Sequence, residues 1–115
     1  METTTKIALA SLALAISAGG ARASNGAEIW DNNCASCHGA DGKGQTKQGK
    51  KLKLNDYTDP KVQGEFTDEQ MVKAILEGVK DPKTGKERMK SFKDELEHPD
   101  ADAKALVEHI RKFKA

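Results

Sequence analysis

Two cysteines separated by two residues, with a histidine directly after, are the residues of this chain best suited to chemistry: Cys34-Ala35-Ser36-Cys37-His38. Each thiol can add to a vinyl group of a porphyrin and form a thioether, and the short spacing lets both sulfurs reach one edge of the ring. A histidine that follows without a gap can swing its imidazole under the ring and bind the iron from one side. The spacing therefore predicts covalent attachment of one haem of the c type through Cys34 and Cys37, with His38 as an iron ligand. Other uses of a Cys-x-x-Cys pair need further partners. A four-ligand zinc site needs two more ligands, but there is no third cysteine, and His98 and His109 stand alone. A dithiol redox site is expected at a helix start after a strand, and no strand pattern precedes Cys34. A structural disulfide is the remaining use, and it suits an exported protein.

Export is itself expected. Lys6 gives a positive start, Ile7 to Ile16 is an unbroken run of apolar and small residues, and Ala21-Arg22-Ala23 offers a small-residue cleavage site. Residues 1–23 thus read as a secretory signal peptide, with retention as an N-terminal anchor the alternative. The mature chain, 24–115, is expected in the bacterial periplasm, with no stable membrane span. Export agrees with the haem reading, because c-type haem is attached on the far side of the cytoplasmic membrane.

The mature chain has room for one small domain. Only 4% of the residues are aromatic, so the polypeptide alone is a poor core builder and a buried haem would add apolar surface. Without Lys6, Arg22 and Glu2 the basic and acidic residues balance, so nothing suggests a nucleic-acid binder. The charges are uneven, however. Lys43, Lys47, Lys50, Lys51 and Lys53 follow the haem motif, and Asp94, Glu95, Glu97, Asp100 and Asp102 come later. The lysines read either as a solvated loop or as a docking face for an acidic redox partner protein.

The elements that position these groups are helical. Asn25 and Glu28 cap a helix over 25–33, in which Gly26 and Trp30 share a face. Glycine inside a helix is costly, and close approach of another helix would justify it. Residues 39–64 read as an irregular loop wrapped on a haem face, with Leu52, Leu54, Tyr57 and Val62 as its apolar contacts. Thr67-Asp68-Glu69-Gln70 opens a second helix, with Met71, Val72, Ile75, Leu76 and Val79 at helical spacing. After a polar turn over 82–87 comes Met89, and Pro99 and Asp100 open a last helix carrying Leu106, Val107, Ile110 and Phe113 on one face. No alternating run appears, so the expected fold class is all-α.

With these elements in place, the chain resembles the class I, low-spin, monohaem cytochromes c over residues 25–113. The resemblance rests on Gly26-x-x-x-Trp30-x-x-x-Cys34-x-x-Cys37-His38-Gly39, on Ala40-Asp41-Gly42-Lys43-Gly44, and on Gly49-Lys50-Lys51-Leu52. It continues in Met89-Lys90-Ser91-Phe92 and in Leu106-Val107-Glu108-His109-Ile110-Arg111. It implies that the first and last helices pack together around a covalently attached haem, that Met89 is the second axial ligand, and that Leu52 and Phe92 pack on the haem. The residues themselves lend Met89 weaker support, with Met71 or an open iron site as alternatives. Met71 lies on an apolar helix face, where a methionine serves as core filler, whereas Met89 lies among charged residues.

The chain departs from the family pattern at three positions. Lys50 stands where the family has a proline whose carbonyl accepts the proximal imidazole N–H. Lys90 replaces the proline after the ligand methionine. His109 stands where the last helix has an aromatic residue, and is expected to pack against Gly26 and Trp30 rather than bind metal. The resemblance implies a monomeric, non-enzymatic carrier of single electrons. No second haem motif and no nucleophile or general-base constellation is present. Lys90 and Arg88, beside Met89, keep open a gas-binding or sensor protein with a displaceable sixth ligand. A haem subunit of a larger oxidoreductase is the other rival.

Overall fold

The structure, a computed structural model, describes residues 25–115, so the expected signal peptide lies outside the described residues. Asn25 has extended backbone and its side chain accepts the Glu28 N–H at 3.1 Å, which starts α1 (Gly26–Asn33). One further turn, α2 (Ala35–His38), carries most of the two-cysteine motif. Two short helices follow, α3 (Lys47–Leu52) and α4 (Pro60–Gln63). The stretch 39–64, expected to be irregular, therefore contains helix. Each piece is too short to display a period, yet each has a side-chain cap, from Thr46 and Asp59 respectively.

The expected capping box of α5 (Asp68–Glu77) is complete: the Thr67 hydroxyl accepts the Gln70 N–H at 3.1 Å, and the Gln70 side chain accepts the Thr67 N–H at 2.9 Å. An antiparallel hairpin follows, β1 (Val79–Lys80) and β2 (Glu87–Met89), with Val79 opposite Met89 and Lys80 opposite Glu87. Strands of two and three residues are too short to alternate visibly, so the sequence hid them. Their turn is set by Asp81, whose side chain accepts from the Lys83 and Thr84 N–H groups at 2.8 and 3.1 Å. The chain ends in α6 (Pro99–Arg111), with proline in its first turn. The fold is mostly helical, as expected, with this one small sheet added.

The core lies where α6 meets α1 and α5. Leu106, Val107 and Ile110 of α6 are buried, as are Met71 and Ile75 of α5. A fully buried side chain of this kind contributes about 1.5–3 kcal/mol. Gly26 explains the close crossing of α1 and α6. A Cβ there would run into the Ala105 carbonyl and lie 3.2 Å from the His109 Cβ. Trp30, one turn on, is 1% exposed and rests 5.8 Å from the His109 ring and 5.1 Å from Phe113. The first and last helices thus pack as the sequence implied.

Candidate functional site

The site grows from the end of α1. Cys34 caps that helix, and its carbonyl accepts the His38 N–H at 2.9 Å, so the five motif residues fold into one compact turn. Two contacts fix this turn from behind. The Trp30 indole N–H donates to the Gly39 carbonyl at 2.9 Å, and its ring stands 5.4 Å from the His38 imidazole. From the other side the Thr46 hydroxyl donates to the Cys37 carbonyl at 2.6 Å and accepts the Gly49 N–H at 2.8 Å. Gly49 is buried so tightly that a Cβ would come within 2.7 Å of the Cys37 carbonyl oxygen and collide with that of Gly44. The clamping roles of Thr46 and Gly49 escaped the sequence reading, although threonine is a preferred N-cap residue and Thr46 directly precedes α3.

Cys34 and Cys37 are both free thiols, so the disulfide alternative is not realised. Burial, and then the neighbouring Cys37, pushes the Cys34 thiol up to about 12, so it stays protonated. Burial also lowers the His38 pKa and keeps the imidazole neutral, the form that can donate a lone pair to a metal. His38 Nδ1 is enclosed without a hydrogen-bond partner, which leaves Nε2 as the nitrogen available to iron. Tyr57 faces His38 with ring centroids 5.6 Å apart, and burial raises its pKa, followed by the influence of Cys34. Two free thiols and a neutral, partly buried imidazole on one turn fit covalently attached haem.

The bond offered by the Lys50 carbonyl is not made. That carbonyl accepts the Lys53 N–H at 3.3 Å, and the Lys50 N–H, which a proline would lack, donates to the Thr46 carbonyl at 2.9 Å within α3. Met89 is the last residue of β2, half-buried and packed against the core. Met71 is buried within the core on α5, a filler position. Phe92 is buried in the same cluster as Cys34, with its N–H on the Ile75 carbonyl at 2.9 Å. Leu52 is half-buried at the end of α3. The five lysines at 43, 47, 50, 51 and 53 are all exposed, four of them on or beside α3. His98 sits at the N-cap of α6 with its side chain 69% exposed and no capping bond from it.

The cytochrome c family profile matches residues 23–114. The chain belongs to that family. Among solved structures, this cytochrome is similar to a protein described as KustC0563 c-type cytochrome, with 34% identity and a TM-score of 0.67, over 79% of this chain and 99% of that one. A single-substitution mutant of the same protein matches at 34% identity and a TM-score of 0.64, over 78% and 99% of the two chains. The comparison with curated proteins gave no match. Family membership makes this a c-type haem protein of electron transfer, with haem held covalently. Among the described residues no helix is long and apolar enough to cross a membrane.

Proposed function

We propose that this cytochrome is an exported, monomeric carrier of single electrons, not an enzyme, with its iron held between His38 and Met89. The bound haem supplies a one-electron ferric–ferrous couple. The observation that carries the reading is the enclosed neutral imidazole of His38 on the same turn as two free thiols. Cys34 and Cys37 would hold the ring by thioethers and His38 the iron by Nε2. Met89 would supply a soft thioether that favours the reduced metal and raises the potential. Two permanent ligands leave no position for substrate, which suits transfer without bond making. The exposed lysines at 43, 47, 50, 51 and 53 would meet an acidic redox partner.

Two observations favour a second reading, gas binding. His38 lacks the second bond that would steady its ring, and Lys90 lacks the stiffness of proline after Met89. Absorption spectra of the mature protein, oxidised and reduced, with and without carbon monoxide, separate the two. A low-spin spectrum with the weak ferric methionine–iron band and no carbon monoxide shift is expected. A high-spin spectrum that shifts with carbon monoxide would overturn the carrier reading in favour of gas binding.

A further inference from the structure

Met89 stands on a strand whose anchors mostly lead away from His38. Beyond it, the Ser91 hydroxyl donates to the Leu76 carbonyl at 2.5 Å and the Phe92 N–H to the Ile75 carbonyl at 2.9 Å, both on α5. Lys90 pairs with Glu95 at 2.7 Å, a local contact. One bond runs the other way: Arg88 Nη2 donates to the Leu52 carbonyl at 2.6 Å. Among the described residues it is the only hydrogen bond joining the hairpin to the chain before residue 58. Its acceptor lies on α3, whose other end is fixed to the haem motif by Thr46 and Gly49. The route from Met89 to His38 is therefore short: strand, Arg88, α3, Cys37 carbonyl, His38.

The contact has a physical reason to persist. Leu52 closes a helix, and a terminal carbonyl without an intrahelical partner attracts a cation. Lys50, Lys51 and Lys53 surround that end, so Arg88 reaches it against like charge, and a directional bond must offset the repulsion. A planar guanidinium achieves this better than a strongly hydrated ammonium.

We propose that Arg88 is a positioning residue that straps the Met89 strand to the haem-motif side of the molecule, supplying the restraint that proline gives elsewhere in the family and Lys90 does not. The proposal rests on the reading of Met89 as iron ligand. When the strap opens, the strand is held only by β1 and by the bonds of Ser91 and Phe92 to α5, all on the α5 side, and the thioether can leave the iron. Loss of a charge-assisted bond of this kind should raise the open population about tenfold.

The experiment follows carbon monoxide binding to the reduced holoprotein by stopped flow, in the wild type, Arg88→Ala, Arg88→Lys and Met89→Ala. Arg88→Ala is expected to keep covalent haem and helical circular dichroism while binding carbon monoxide about tenfold faster than wild type, and Arg88→Lys to recover part of the difference. Equal rates for wild type and Arg88→Ala, with Met89→Ala much faster, would overturn the strap and leave Met89 as ligand. Equal rates for wild type and Met89→Ala would overturn the ligand reading and the strap with it.

Discussion

The four side chains of the proposed haem site come from two separate parts of the chain. His38 and the two cysteines occupy one turn, whereas Met89 arrives from a strand more than fifty positions later. Met89→Ala should leave the haem covalently attached, because neither thiol is touched, but convert the iron from low to high spin and lower its potential. An unchanged spectrum and potential would remove Met89 from the iron. His109 gives a separate prediction through pH. Burial between Trp30 and Phe113 lowers its pKa, Asp31 opposes the shift, and Lys112 adds to it. The unfolded chain then binds a proton more readily than the folded one. The stability from neutral His109 is fully present above the ordinary histidine range and is lost as pH falls through the lower folded value. Asp56 and Asp81, whose pKa values are lowered chiefly by hydrogen bonds to Thr58 and to the Lys83 and Thr84 N–H groups, lose their contribution in a more acidic window. Thermal melts between pH 7 and 5 should show a falling Tm, with a smaller slope in His109→Phe, which keeps an aromatic ring there. The same slope in both proteins would exclude His109 as its source.

Helices are joined in this cytochrome by polar hubs that periodicity does not reveal. Arg111, at the end of α6, donates to the Gln63 carbonyl at 2.6 Å, the Gln63 side chain at 2.9 Å, the Phe66 carbonyl at 2.7 Å and Asp68 at 2.9 Å. Gln63 is buried and donates in turn to the Tyr57 and Ile110 carbonyls at 2.7 and 2.9 Å. One guanidinium thus ties α6 to α4 and to the start of α5. Lysine cannot reproduce the fork, so Arg111→Lys should destabilise by about 2 kcal/mol and lower Tm by roughly 10 °C. A melt within a degree or two of wild type would show that water replaces the lost bonds. What the sequence made legible divides along the same line. The apolar faces of α5 and α6, the Thr67–Gln70 box and the glycine that admits α6 all follow local rules, and could be read. The α3 clamp, the hairpin and the Arg111 and Arg88 bonds depend on partners 36 to 48 positions away or on elements shorter than a period. The motif residues were legible because their chemistry fixes their spacing. The missing Lys50 bond was not, since it depends on where α3 sets the Lys50 carbonyl relative to His38.

Charge distribution over the whole molecule decides how partners approach. Outside residues 1–23 the formal charges cancel, so residues 24–115 have little net charge with which to attract anything at long range. Any steering must come from local asymmetry. Lys47, Lys50 and Lys51 lie on α3, Lys53 caps it, and Lys43 is on the turn before it, all exposed. That helix is fixed directly to the Cys37 carbonyl of the haem motif, so the lysines lie on an element that adjoins the motif. At 0.1 M salt such fields fade over about 10 Å, which makes their effect short-ranged but salt-sensitive. Small redox reagents of opposite charge can measure it without knowledge of the natural partner. Oxidation by ferricyanide should slow on the order of tenfold as salt rises from the low millimolar range, and a cationic ruthenium ammine should respond weakly or in the opposite sense. Lys50→Glu with Lys51→Glu should abolish most of the ferricyanide slope while leaving the spectrum unchanged, since neither side chain holds the haem. If the double variant kept the wild-type slope, electrons would leave by another face, and the lysines would be a solvated surface and no more.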